Sequence, residues 1–212
     1  MGFMEFINTP VGAMSGLMLG VFIICMWAII HFSYLYKKEK STVVNWFNAT
    51  HAVLTCINDK NIRIYGGVIP NRTWRKTERN TLQAYWDISD VNSLNESIRF
   101  LMQYGHRSEY KNKGNEGDIG AWDYSRAMSL LSSAYVCAYI SKQEALDRSL
   151  EVAKVIQSSY TSWDDFMNSY LKGYEYWSSH TPKGRWQIYE NLRKQKNSLY
   201  NIPWNLELKR EW

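Results

Sequence analysis

The stretch Ser162–Trp177 reads SWDDFMNSYLKGYEYW, and its pattern decides the fold class. Its apolar residues recur every three or four positions and share one helix face: Trp163, Phe166, Met167, Tyr170, Leu171, Tyr174 and Trp177. Ser162 can cap this helix, and Asp164 and Asp165 in the first turn suit the helix dipole. Gly173 in the interior predicts a close approach of another helix, since glycine there costs about 1 kcal/mol relative to alanine.

Further helices are predicted on both sides of this stretch. Upstream, we expect helices over residues 43–58, 73–86, 90–104, 121–140 and 141–158. Downstream, we expect one over residues 183–200 and then a tail at 203–206. Asp90 stands at a cap position, and Ser141 with Glu144 forms a capping-box pattern. No strand pattern matches these helices in quality, so we predict an all-α, compact multi-helix domain.

A polar stretch separates two of the predicted helices. Gly105–Asp118 contains three glycines and is predicted to be the longest loop, mobile or in contact with a partner. His106 and Arg107 stand at its beginning, just after the predicted helix 90–104. They can interact with the dipole at the C-terminus of that helix, or they can bind a ligand.

A second candidate site lies at the start of the helix 121–140. Asp123 and Arg126 are three residues apart and adjacent to Trp122, a spacing that allows a charge-assisted pair on one helix face. Two interpretations stay open: a pair that specifies the fold, or a ligand or catalytic site. The candidate binding residues are therefore His106, Arg107, Asp123 and Arg126, and no catalytic residue is assigned.

Several function classes find no support in the sequence. The four histidines are far apart and lack the spacing of a metal site, so no metal or cofactor is expected. No phosphate-binding loop, dinucleotide motif or nucleophile motif is present. Residues 72–79 and 183–196 mix basic and aromatic side chains, but acidic residues interrupt both stretches. Solvated helix faces explain them, so we expect no nucleic-acid partner.

The N-terminal part of the chain has a different character. Val11–Tyr36 contains no acidic or basic residue except His31 and would form a helix about 39 Å long, enough to cross a hydrocarbon core of about 30 Å. We predict a single transmembrane helix over residues 11–36, a short N-terminal segment 1–10 and a domain over residues 37–212. We do not expect a cleaved signal peptide, because residues 1–10 contain no Lys or Arg and the apolar run is too long.

The flanks of this helix predict its orientation. Lys37, Lys38 and Lys40 follow it and no basic residue precedes it, so the domain is expected in the cytoplasm and the N-terminus outside. Cys56 and Cys137, isolated in apolar helical patterns, suit reduced thiols there. Gly12, Gly16 and Gly20 form a small-residue stripe that favours close packing of membrane helices. That packing would produce a homodimer or bind a target in the bilayer.

Several short motifs together resemble one family. They are Leu82–Ile88 (LQAYWDI), Gly105–Arg107 (GHR), Gly120–Arg126 (GAWDYSR), Ala138–Ser141 (AYIS) and Ser162–Phe166 (SWDDF), with Tyr170 and Gly173. As a set they resemble the bacterial domain of unknown function 1266, over about residues 53–177. Members of that family tend to carry glycine where this chain has Ala138.

The resemblance implies a function without an assigned activity. Domains of this family are similar to small bacterial accessory proteins, some of them near secreted toxin systems. We therefore expect a non-enzymatic interaction protein of the bacterial inner membrane with a protein partner, most concretely an immunity protein that neutralises a toxin. Two alternatives stay open: an enzyme of unrecognised type with a site around Asp123, Arg126 and His106, and a membrane-bound adaptor of a secretion or envelope complex.

Overall fold

The computed structural model describes residues 19–27 and 39–212, and the chain divides into two units, Met1–Lys38 and Glu39–Trp212. In the first unit, residues 19–27 are helical and carry exposed apolar side chains, among them Phe22 (62% exposed) and Ile24 (66%). The remainder of the predicted transmembrane helix lies outside the described residues, as do residues 1–10. In the part of the chain that is described, no helix is both long and apolar enough to cross a membrane.

The second unit confirms the all-α fold class. Residues 39–212 form nine α-helices and a 3-10 turn at Leu199–Asn201, and this range contains no strand. The helices are α1 Thr42–Thr50, α2 Ala52–Ile57, α3 Arg72–Trp86, α4 Val91–Gln103, α5 Gly105–Asn112, α6 Gly120–Cys137, α7 Lys142–Ser159, α8 Trp163–Ser178 and α9 Lys183–Arg193.

Helix α6 lies at the centre of this domain. It contacts α1, α3, α4, α5, α7 and α8. Most of its residues are buried, including small ones such as Ala121, Ala127 and Ala134. A helix that is buried all round needs no single apolar stripe, and its small side chains allow neighbouring helices to approach.

The contact between α6 and α8 confirms the prediction made from Gly173. A Cβ built on Gly173 would lie 2.4 Å from the Cβ of Trp122 on α6, closer than real Cβ atoms come. Along the predicted apolar face of α8, the side chains from Trp163 to Leu171 are buried, whereas Trp177 is 53% exposed. The face therefore packs on the core at its N-terminal end and reaches solvent at its C-terminal end.

The three predicted helix caps are present. Asp90 accepts a hydrogen bond from the Ser93 N–H (2.9 Å), Ser141 from the Glu144 N–H (3.1 Å), and Ser162 from the Asp165 N–H (3.1 Å). Each cap satisfies one of the free N–H groups at a helix N-terminus. The starts of α4, α7 and α8 were therefore predicted correctly.

Three predicted elements were wrong in extent. The helix 43–58 breaks at His51, whose N–H donates to the Asn48 carbonyl three residues back, while the apolar spacing continues across the break. The helix 183–200 ends at Arg193, since the following residues 194–198 are polar and supply no apolar anchor. The loop Gly105–Asp118 is helical over its first eight residues, as α5, for a reason given below.

The residues after α9, which include the predicted tail 203–206, pack against the rest of the domain. Trp204 packs against Trp46 of α1 (ring centroids 5.3 Å apart) and Trp163 of α8 (4.8 Å). Its carbonyl accepts hydrogen bonds from Trp46 Nε1 (3.2 Å) and Gln157 Nε2 (2.7 Å). Further along, the Ser41 hydroxyl donates to Glu211 at 2.6 Å, across a separation of 170 positions. Residues 202–212 thus cover α1, α7 and α8.

Candidate functional site

Asp123 accepts hydrogen bonds from the N-terminus of a neighbouring helix. The backbone N–H groups of His106 and Arg107, in the first turn of α5, donate to the two carboxylate oxygens of Asp123 at 3.0 Å and 3.1 Å. No side chain of α5 itself caps this helix. The carboxylate of α6 therefore satisfies free N–H groups of α5, and its charge suits the positive end of the helix dipole. The capping group lies 16 and 17 positions away, so a local sequence pattern does not reveal it.

Two arginines complete the surroundings of Asp123. Arg126 donates to Oδ1 at 2.6 Å and Arg107 to Oδ2 at 3.1 Å, while Asp123 is fully buried. Burial lowers the pKa of Arg126, and the adjacent Asp123 works against that shift. A carboxylate has about four acceptor positions. Two amides and two guanidinium groups occupy all four.

Arg107 also ties this carboxylate to the end of another helix. The Arg107 guanidinium donates to the carbonyls of Leu101 and Met102 at the C-terminus of α4. Arg126 Nε donates to the Trp122 carbonyl at 3.1 Å. The predicted interaction of Arg107 with the C-terminal dipole of the preceding helix is thereby confirmed, whereas His106 belongs to the first turn of α5.

Gly105 makes this arrangement sterically allowed. Its φ is +57°, in the left-handed region, and a Cβ built on it would lie 2.0 Å from Asp123 Oδ2. Only glycine adopts this conformation readily and leaves room for the carboxylate. The Gly-His-Arg and Trp-Asp-Tyr-Ser-Arg motifs of the sequence are therefore two halves of one cluster.

Aromatic rings surround the guanidinium groups. Arg126 lies over the rings of Trp122 (4.7 Å to the centroid) and Trp86 (5.4 Å), and Arg107 lies over the ring of Tyr124 (4.8 Å). Such contacts replace part of the hydration that a buried guanidinium loses. Trp86 connects this cluster to the outer surface of α3.

His106 lies at the edge of the cluster. Its ring meets that of Phe100 edge to face, with centroids 6.5 Å apart. Burial lowers its pKa, as does the charge of Arg126, while Asp123 and Glu109 act in the opposite direction. The structure thus brings all four predicted binding residues together, with Asp123 at their centre. Their binding role stays a prediction.

A second, partly buried hydrogen-bond network around Asp118 was missed, because Asp118 lay in the predicted loop. One oxygen of Asp118 accepts from the Tyr160 hydroxyl (2.5 Å), the Ser169 hydroxyl (2.6 Å) and the Gly120 N–H (3.0 Å). Burial alone would raise the pKa of Asp118, but these hydrogen bonds outweigh it and lower that pKa. Asp118 therefore fixes the start of α6 against α8.

The outer side of α3 and α4 carries an open groove of about 630 Å³, which we name the α3–α4 groove. Its lining consists of Gln83, Ala84, Tyr85, Trp86, Asp87, Glu96, Ser97 and Phe100. Tyr85 is 80% exposed. Phe100 is 48% exposed, and Tyr104 beyond the end of α4 is 60% exposed. Clustered exposed aromatic side chains are typical of an interaction surface.

Two other predictions concern glycines and metal ligands. Gly12 and Gly16 lie outside the described residues, and a Cβ built on Gly20 would meet nothing within 4 Å. Over residues 19–27 and 39–212, no three His, Cys, Asp or Glu side chains are grouped to hold a metal ion.

Comparison with known protein families gave a match over part of the chain. Residues 108–204 match the model of a family described as "Protein of unknown function (DUF1266)". The match supports the family that the motifs resemble, although it begins later than residue 53 and extends beyond residue 177. Asp123 and Arg126 lie inside the matched range, while His106 and Arg107 precede it. No curated protein and no solved structure matches the chain.

Proposed function

Starting from a family of unknown function that matches residues 108–204, we propose that this protein is a membrane-anchored, non-enzymatic interaction protein. Its most concrete form is an immunity protein that neutralises a toxin acting at or near the bacterial inner membrane. The observation that carries the proposal is a contrast between two places in the domain. The buried polar cluster around Asp123 is saturated by its own chain, whereas the α3–α4 groove presents aromatic side chains to solvent.

The saturation of Asp123 supports a structural role for this cluster. A general acid or base needs a proton or a lone pair directed at a substrate. Asp123 is fully buried, and its four acceptor positions receive donors from α5 and α6. These contacts join α5 to α6, and Arg107 also joins them to α4. Removing any of them would therefore destabilise the packing of these helices.

The exposed aromatic side chains support partner binding. Tyrosine and phenylalanine are enriched at protein interfaces because they bury a large area at a small loss of conformational entropy. Tyr85 and Phe100 lie on adjacent helices and line the same groove. Exposure of both rings to water does not stabilise an isolated domain. A partner that covers them would gain free energy from burying their apolar surface.

The membrane placement rests on the N-terminal sequence. The uncharged run Val11–Tyr36 is followed by three lysines, which favours the cytoplasm for the domain. The exposed apolar side chains of residues 19–27 suit contact with lipid or with another membrane helix. In this proposal the small-residue stripe at Gly12, Gly16 and Gly20 would pack against a second copy or against the toxin in the bilayer.

The experiment that tests the function is co-purification followed by a protection assay. The tagged full chain is expressed from its own locus, solubilised in mild detergent and isolated with its bound proteins. We expect one stoichiometric partner whose production without this chain arrests growth. A partner that is harmless when produced alone would overturn the immunity proposal, and the absence of any stoichiometric partner would overturn the interaction function.

A matched variant separates the domain from the span. Residues 11–36 are replaced by an unrelated transmembrane helix of the same length. If protection persists, the domain surface recognises the toxin and the span is a tether. If protection is lost while membrane placement persists, recognition lies in the span itself.

A further inference from the structure

We propose that the α3–α4 groove binds a basic side chain, lysine or arginine, on a protein partner; this inference rests on the proposed interaction function. The groove joins two features that such a side chain requires. Aromatic rings receive its alkyl stem and its cation, and two carboxylates at the rim receive its charge.

The walls of the groove fit the stem of the side chain. Tyr85 and Phe100 present exposed rings, and the small side chain of Ala84 also lines the groove. Long basic side chains cover apolar surface with their methylene groups while the charged end stays near water. A cation over a tyrosine or phenylalanine ring adds an electrostatic attraction.

The charges of the groove select a cation. Asp87 and Glu96 are its only charged lining residues, although the chain as a whole carries a net charge of +5. Within residues 39–212, Glu96 forms no ion pair, and Arg99, one turn further along α4, does not pair with it. Asp87 accepts one hydrogen bond, from Gln83 Nε2 at 2.7 Å. Two acidic side chains without a cation lie beside uncovered aromatic rings.

The floor of the groove is held in place before any partner arrives. Trp86 lies against the guanidinium of Arg126, which also forms an ion pair with Asp123. Asp87 ends α3 in the left-handed conformation, with φ of +55°. A preformed surface loses little entropy on binding, which favours affinity.

The same charges disfavour two other occupants. A second copy docking groove to groove would bring four carboxylates together, and like charges in an interface cost free energy. An anionic lipid surface would be repelled by Asp87 and Glu96 in the same way. A basic protein segment is the occupant that the lining favours.

The test uses the full chain in non-ionic detergent and three fluorescein-labelled peptides that alternate leucine with a second residue: arginine, its uncharged analogue citrulline, or glutamate. Fluorescence anisotropy measures the dissociation constants. We expect the arginine peptide to bind about 10-fold more tightly than the citrulline peptide, and the glutamate peptide not to bind. Equal affinities for arginine and citrulline, or no binding of the arginine peptide, would overturn the proposal.

Variants at exposed positions assign the binding to the groove. The double variant Asp87→Asn, Glu96→Gln should bind the arginine peptide about 10-fold more weakly than the parent chain, and Phe100→Ala about 5-fold more weakly. Glu151→Gln, an exposed acid on α7, is the matched control and should leave the affinity unchanged. An unchanged affinity in the double variant would refute the groove as the site. Sedimentation velocity tests the remaining alternative: dimers that Tyr85→Ala dissociates would assign the groove to a second copy.

The two proposals can fail separately. If a cognate toxin co-purifies equally well with the parent chain and with the Asp87→Asn, Glu96→Gln variant, the interaction function stands and the groove proposal fails. If the arginine peptide binds as expected but no stoichiometric partner exists in cells, the groove has been assigned correctly and the immunity function fails.

Discussion

The carboxylate of Asp123 lies against the α-carbon of Gly105, so that a Cβ at residue 105 would overlap Oδ2 at 2.0 Å. This contact explains why a glycine opens α5 opposite an aspartate in the first turn of α6. The two residues are 18 positions apart in sequence. Gly105 leaves the space that the Asp123 carboxylate occupies, and Asp123 caps the helix that Gly105 opens. The contact also decides the first prediction.

Gly105→Ala should destabilise the domain by about 4 kcal/mol. The substitution combines a left-handed backbone with a steric overlap on a fully buried carboxylate. Urea unfolding followed by tryptophan fluorescence measures the change. Gly114→Ala is the matched control, because φ there is also positive (+76°) but nothing lies within 4 Å of the added Cβ. A loss at residue 105 no greater than the loss of about 1 kcal/mol expected at residue 114 would contradict the steric argument.

Asp123→Asn should cost about 3–5 kcal/mol although the shape of the side chain is kept. The amide leaves Arg126 without its charge partner and turns an NH₂ group toward N–H donors of α5 or the arginines. The free energy of unfolding is measured as above, and Asp59→Asn, on an exposed residue after α2, serves as control. A variant that keeps its melting temperature but loses cellular function would instead favour a ligand or catalytic role for Asp123.

Ala138→Gly should stabilise the domain by about 0.5 kcal/mol. Ala138 ends α6 with φ of +57°, a conformation that costs alanine about 1 kcal/mol. Glycine avoids this cost, but it loses more conformational entropy on folding, which cancels part of the stabilisation. Thermal unfolding detects the gain as a small rise in melting temperature. Ala134→Gly, one turn earlier in the same helix, should instead destabilise it by about 1 kcal/mol. Equal effects at both positions would show that the terminal backbone is not strained.

Stability should fall as pH drops from 6.5 to about 4, in part because of His51. Burial and the charge of Lys60 lower the pKa of this histidine to about 4. Between these two pKa values, His51 is protonated in the unfolded chain but neutral in the folded domain. The free energy of unfolding therefore falls by on the order of 3 kcal/mol across this window. Below about pH 4 both states are protonated and this loss stops growing.

Equilibrium unfolding at a series of pH values tests the role of His51. His51→Gln should flatten the dependence between pH 6.5 and 4, whatever its effect at neutral pH. His180→Gln, on an exposed residue after α8, should reproduce the slope of the parent. An identical slope in the His51 variant would show that other groups cause the acid sensitivity.

The sequence predicted the all-α class because helical spacing and caps are local signals. Asp90, Ser141 and Ser162 act within three residues of themselves, so reading the chain in short windows is enough to find them. Gly173 was predicted as a point of close approach from the free-energy cost of glycine in a helix, and Trp122 fills the space. These features depend on neighbours in sequence or on a single residue type.

The errors arose where a distant residue decides local structure. Gly105–Asn112 was predicted as part of a loop because the stretch Gly105–Asp118 is polar and contains three glycines. The group that caps its helix, Asp123, lies outside this stretch. The four candidate binding residues were found by their chemistry, while their assembly around one carboxylate required the packing of α4, α5 and α6.

The cover formed by residues 202–212 has a consequence for synthesis of the chain on the ribosome. Trp46 and Trp163 are translated well before Trp204. The Trp204 ring packs against both of their rings, and its carbonyl accepts a hydrogen bond from the Trp46 indole N–H. Until Trp204 has emerged from the ribosome, the nascent chain leaves these two indole rings partly exposed and can fold only incompletely. Chaperone demand should therefore peak late in translation and end when the segment carrying Trp204 emerges.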